Sequence, residues 1–213
     1  MMMSKKEIRY IEADRFSVEK REDGALEWVG YAARFNSQTT IAGLFDEVIR
    51  PGAFTRTLEE GDDVVALHNH DVNQLLGRRS VGSLELEQDD DGLRVRIFPP
   101  DTQHARDLGK LIERGDISQM SFSFTVPRGG DRWGHPEESE RELREILEAR
   151  LIDVSSVTFP AYKATSIALR SAEDVLNEHL ENREGQQADA VAEPEPAHEG
   201  EAKALLVEVE SLR

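Results

Sequence analysis

Alternation with a period of two constrains this chain more than anything else in it. Residues 84–87 read Leu-Glu-Leu-Glu and residues 93–97 read Leu-Arg-Val-Arg-Ile. Successive side chains of a strand point to opposite faces, so each run segregates an apolar face from a charged one. Between them lies Gln88-Asp89-Asp90-Asp91-Gly92, a turn sequence ending in Asp-Gly. Ser80–Glu87 and Leu93–Ile97 are therefore predicted to form a β-hairpin. The acidic run has an ordinary role as its solvated turn and is not read as a metal loop.

The same logic extends outward. Ile8–Ala13, Glu27–Phe35, Val64–Asn69, Met120–Val126 and Arg150–Phe159 read as strands. Pro51-Gly52-Ala53-Phe54 opens a short helix in which Phe54 and Leu58 share a face, with Gly61 where it would stop. Thr102–Arg114 carries Ala105, Leu108, Leu111 and Ile112 on one stripe, with Asp101 or Thr102 to cap it and Gly115 to end it. Pro127–Pro136 reads as a Gly- and charge-rich loop, and Glu140–Ala149 is ambiguous between helix and strand. The expected fold is mainly β with a few helices (α+β), about six strands in a small closed or half-closed barrel.

Composition sets the remaining bounds. The chain has 213 residues, a net charge of −17 and no cysteine. Disulfides, thiolate metal sites and a cysteine nucleophile are excluded. Residues 172–213 hold twelve acidic against three basic side chains, a net of −9. Such a balance argues against a nucleic-acid partner. No stretch approaches the roughly 18 apolar residues of a membrane span, and the opening residues lack the apolar core of a secretory signal. The expected division is a folded domain over 1–171 and an acidic, largely disordered tail over 172–213. Short helices are expected at Glu173–Asn182 and Ala202–Leu212.

Three short segments carry residues able to do chemistry. Leu67-His68-Asn69-His70-Asp71 holds two histidines at i and i+2, which on a strand share a face. A metal would need further ligands, and no HExxH-like cluster follows. Ser121 stands between the bulky Met120 and Phe122, which should anchor the backbone and fix the hydroxyl on the opposite face. Asp153 interrupts an apolar-looking strand, where a carboxylate is costly unless it has a specific donor such as a histidine N–H. A serine hydroxyl needs an imidazole to take its proton, and the imidazole needs an acceptor on its far nitrogen.

These segments, in order, resemble the prohead (capsid maturation) serine proteases of tailed double-stranded DNA phages. The resemblance spans about Gly30 to Arg170. It is carried by Gly30-Tyr31-Ala32 with Phe35, Pro51-Gly52-Ala53-Phe54, Asn69-His70-Asp71 followed by Gly77-Arg78, Asp91-Gly92-Leu93, Met120-Ser121-Phe122-Ser123-Phe124, and Asp153-Val154-Ser155 with Pro160-Ala161-Tyr162. It implies His70 as general base and Ser121 as nucleophile. Ser123 replaces the family's usual glycine. Asp153, as third member, stands where a glutamate is usual. The family is similar in fold to herpesvirus assemblins, whose third residue is a histidine, so His68, His104 and His135 remain lesser candidates.

The resemblance further implies an endopeptidase without cofactor or metal. It would act in the host cytoplasm inside the immature capsid, on the major capsid protein and its scaffolding segment, and on itself, as a monomer or homodimer. The tail would then serve encapsidation or self-cleavage, or be merely solvated. Two other readings stand beside this one. The first is an inactive assembly scaffold or chaperone that binds the shell interior through its acidic tail. The second is a metal-dependent hydrolase using His68 and His70.

Overall fold

The computed structural model describes residues 5–11, 16–137, 139–159 and 171–183. The predicted hairpin is present as β8 (Leu84–Gln88) and β9 (Gly92–Ile97), antiparallel and in the register Leu84↔Ile97 through Gln88↔Leu93. Leu84, Leu93, Val95 and Ile97 are buried, as the alternation requires. β9 also pairs with β3 (Leu26–Arg34), and β3 with β2 (Ser17–Lys20), which completes a four-stranded sheet in the order β2-β3-β9-β8.

A second sheet runs β1-β10-β13-β6-β7, built from Glu7–Ile11, Gln119–Thr125, Arg150–Val157, Val65–His68 and Asp71–Arg78. A third runs β11-β12-β5-β4, from Asp131–Gly134, Leu143–Ile146, Phe45–Ile49 and Thr39–Ile41. Helix α1 is Thr55–Glu59 and α2 is Gln103–Arg114. The predicted caps of α2 are in place: Thr102 Oγ1 accepts the Ala105 N–H at 3.2 Å, and Gly115 ends the helix in the left-handed conformation. Residues 171–183 are helical.

The sheets enclose a core in which Met120, Phe122 and Phe124 of β10 are fully buried. Phe122 stacks on Phe124 at 5.0 Å and meets Phe54 edge-on at 5.7 Å. Aromatic pairs of this geometry add to plain burial, and they clamp the backbone of β10 from one side.

Several expectations need correction. Among the described residues there are thirteen strands, not about six, and no hydrogen-bonded sheet closes on itself. Register shifts at Tyr31/Ala33, Ala66/Leu67, Leu67/His68 and Ser123/Phe124 interrupt the ladders. Such irregularities bend strands, so the core is wrapped by three short open sheets instead of one barrel. Two seams are parallel, β13 with β6 and β12 with β5. The Pro127–Pro136 loop contains β11, and the ambiguous Glu140–Ala149 contains β12. Residues 79–81 form a 3₁₀ turn, not the start of β8. The expectations for Glu12–Ala13 and for 184–213 lie outside the described residues.

Candidate active site

β6, β7, β10 and β13 belong to one sheet, and this adjacency gathers residues far apart in the chain. β10 pairs with β13 so that Ser121 faces Ser155 and Ser123 faces Asp153. On the other side of β13 comes β6, whose two-residue turn into β7 is Asn69-His70. Ser121, His70 and Asp153 therefore meet at one place.

The geometry is tight. His70 Nε2 lies 2.6 Å from Ser121 Oγ, and His70 Nδ1 lies 2.6 Å from Asp153 Oδ1. Asp153 is 1% exposed. Burial alone would push its carboxyl up. The His70 hydrogen bond and charge, with the hydroxyls of Ser123 and Ser155, outweigh burial and hold it down at about 2. An ionised Asp153 can only accept, so Nδ1 carries the ring's proton. In the neutral imidazole, Nε2 is then left free to accept from Ser121.

The third residue is seated by partners that sequence reasoning missed. Ser155 Oγ donates to Asp153 Oδ1 at 2.9 Å and accepts the His70 backbone N–H at 3.2 Å. Ser123 Oγ donates to Oδ2, and Lys6 Nζ reaches the same oxygen at 3.3 Å. One signal was available: Ser155 follows Asp153 by two residues on a strand, so the two share a face. Ser123, noted only as a departure from glycine, acts as a donor to Asp153.

His70 sits in strained backbone. Asn69 and His70 have φ of 54° and 57°, the left-handed region, in a turn between paired strands. Hairpin turns of this kind favour Asn followed by Gly, and a bulky residue there costs about 1–2 kcal/mol. Asn69 holds the turn. Its N–H donates to the Ser156 carbonyl at 2.9 Å, its Oδ1 accepts the Thr158 N–H at 2.9 Å, and its Nδ2 donates to Thr158 Oγ1 at 3.1 Å.

This turn corrects the expectation that His68 and His70 share a strand face. β6 ends at His68, and the left-handed turn sends His70 elsewhere. His68 Nδ1 lies 3.0 Å from Ser156 Oγ, and its ring is 6.2 Å from that of His104. Burial, then the neighbouring His104, push its pKa down. The two histidines are not arranged as a ligand pair. No group of three or more metal-ligating side chains is placed to hold an ion among the described residues. His135 is exposed, 3.9 Å from Glu142. The group on the second nitrogen of His70 is Asp153, not a histidine.

The site is sealed. Ser121 is 0% exposed. β1 lies along β10 with Tyr10 opposite Ser121, and the Arg9 carbonyl accepts the Ser121 hydroxyl at 2.7 Å. The single hydroxyl hydrogen thus has two acceptors in reach, His70 Nε2 and the Arg9 oxygen.

The profile of the caudovirus prohead serine proteases matches residues 14–179. The chain belongs to this family. It is thus a serine protease of phage prohead maturation. The solved structure of the bacteriophage T4 capsid assembly protease, gp21, is similar in fold, with a TM-score of 0.51 and 12% sequence identity over 71% of this chain and 96% of that one. No curated protein sequence matches the chain.

Proposed function

We propose that Ser121 is the nucleophile of this protease, His70 its general base and Asp153 the residue that orients His70. The observation that supports this best is the unbroken line Ser121 Oγ–His70–Asp153, with 2.6 Å at each step. In this reading the hydroxyl attacks the scissile carbonyl carbon as His70 Nε2 takes its proton. The imidazolium formed is stabilised by the ionised Asp153, and then returns the proton to the leaving amine. Water hydrolyses the acyl-enzyme by the reverse order of proton transfers. Because Ser121 is fully buried, a peptide reaches it only where β1 gives way.

The substrates in this proposal are the major capsid protein and its scaffolding segment, cut inside the immature capsid. Residues 1–171 form the protease domain and 172–213 an acidic appendage. Kinship in fold with herpesvirus assemblins belongs to the same proposal, supported by the shared order of histidine before serine.

The test is co-expression with the capsid protein. Ser121→Ala should abolish processing while the circular dichroism spectrum stays that of the wild type. Processing that continues undiminished overturns the assignment.

A further inference from the structure

β1 holds one particular peptide bond against the candidate nucleophile. The Arg9 carbonyl accepts from Ser121, and Tyr10, on the far side of that bond, meets the His70 ring edge-on at 6.2 Å. The register fixes the faces. Ile8 and Tyr10 lie opposite Ser123 and Ser121, whereas Glu7 and Arg9 lie opposite Phe124 and Phe122. Glu7 and Arg9 thus point away from the reacting face, into the protein.

Both are buried against opposite charges. Arg9 Nε and Nη2 fork onto the two carboxylate oxygens of Glu47 at 2.5 and 2.8 Å, with the Phe124 ring 5.5 Å from the guanidinium. Glu7 receives the matching fork from Arg144, at 2.6 and 3.0 Å. Glu47 and Arg144 are each 3% exposed and face each other across β5 and β12, outside the sheet that carries Ser121. Neither contacts Ser121, His70 or Asp153. Arg144 Nη1 also donates to Glu47 at 3.1 Å and its Nε to Asp131 at 2.7 Å, while Arg9 Nη2 donates to Glu7 at 2.6 Å, so the four charges of the two strand faces form one network. A strand beside β10 without a matching acid and base would take from Glu47 and Arg144 the bidentate partner of each, which is costly at buried positions.

We propose that Glu47 and Arg144 are specificity-determining residues. They select substrates that pair with β10 in the place of β1 and carry an acidic residue, any residue, then arginine immediately before the bond cut. The inference deepens the proposed function and rests on Ser121 being the nucleophile. Spacing of i and i+2 places acid and arginine on one strand face, where the two counter-charges lie. Arginine is preferred over lysine because a planar fork satisfies both Glu47 oxygens, whereas an ammonium is a single point charge.

The test uses the full-length chain and a panel of quenched fluorescent peptides. They vary the residue before the cut (Arg, Lys, Met) and the residue two before that (Glu, Ala). Wild type should cut Glu-x-Arg about a hundredfold better, in kcat/KM, than Glu-x-Met, the scale of removing one partner of a buried charge pair. Glu-x-Lys should fall between, and Ala-x-Arg should lose at least about tenfold. Glu47→Gln should collapse the Arg-to-Met ratio to within a few fold, and Arg144→Met should collapse the Glu-to-Ala ratio. These ratios are insensitive to a general loss of activity, and if either variant fails to fold the wild-type panel decides alone.

An Arg-to-Met ratio near one, or a ratio that Glu47→Gln leaves unchanged, overturns the proposal. Ser121→Ala on the same panel separates the two levels. Cutting that is flat across the panel yet abolished by Ser121→Ala sinks the specificity alone, whereas cutting that survives Ser121→Ala sinks the nucleophile and the specificity with it.

Discussion

Hairpins β6–β7 and β8–β9 both join antiparallel strands through a short connection, and they differ in where strain is kept. In β8–β9 the turn is relaxed. Asp89 Oδ1 accepts the N–H groups of Asp91 and Gly92, both at 2.9 Å, and no residue from Gln88 to Gly92 has a positive φ. In β6–β7 two consecutive residues without the freedom of glycine are left-handed, and the second is His70. The relaxed turn lies outside the candidate site, and the strained one aims an imidazole at Ser121. Strain of this kind persists only where surrounding bonds over-determine it, here the hold of Asn69 on Ser156 and Thr158.

The comparison is broken most directly by paired changes of acceptor. Asp153→Asn, which acts on the strained hairpin's imidazole, should lower kcat on the order of 10⁴-fold by favouring the wrong tautomer. Asp89→Asn in the relaxed hairpin should leave kcat unchanged, and steady-state kinetics on one peptide compare the two. A sizeable kcat loss in Asp89→Asn would erase the distinction.

Next in size is Gly92→Ala. Gly92 is needed for proximity and not for turn geometry, since a Cβ there would lie 2.0 Å from the Ala33 carbonyl oxygen. Backbone of β3 must shift, so urea unfolding should show a loss of about 3 kcal/mol.

The acid limb of stability is the third probe. The folded state holds Asp153 at about 2, below its ordinary value. Its contribution is therefore complete above about pH 4 and is lost as pH falls from there towards 2, about 2 kcal/mol in all. Thermal unfolding across that window should slope less steeply in Asp153→Asn than in the wild type, the remaining slope coming from other ion-paired carboxylates such as Glu7 and Glu145.

The smallest expected effect is on the clasp itself. Asn69→Ala removes both the side-chain bonds and the tolerance of the left-handed region, at a cost of about 1–2 kcal/mol. Asn69→Gly keeps the backbone freedom and should recover part of that loss in the same denaturation experiment. Equal losses in both would assign the cost to the hydrogen bonds alone.

Legibility in the sequence followed the same divide. The relaxed hairpin could be read from alternation, because one solvated and one buried face write a period of two. β7 could not, since Asp71–Arg78 pairs with β6 through two register shifts and leaves Val72 and Leu75 exposed. Ser121, His70 and Asp153 were picked out by their settings and by resemblance. Their separation of 2.6 Å at each contact depends on the turn after His68, which strand periodicity misplaces. The polar face of β10 was also misleading. Ser121 and Ser123 are as buried as Phe122 and Phe124 on the opposite face, with β1 and β13 on the two edges of the strand.

The order of strands in the five-stranded sheet bears on when activity can first exist. β10 lies between β1, which is synthesised before it, and β13, which is synthesised after it. A nascent chain therefore has the partner that covers Ser121 well before the one that brings Asp153. The pairing of β1 with β10 joins residues 112 apart, whereas that of β10 with β13 joins residues 30 apart, so the cover is the more non-local contact and the slower to close. The strand that hides Ser121 is thus the first of the three to be made and the last expected to pair.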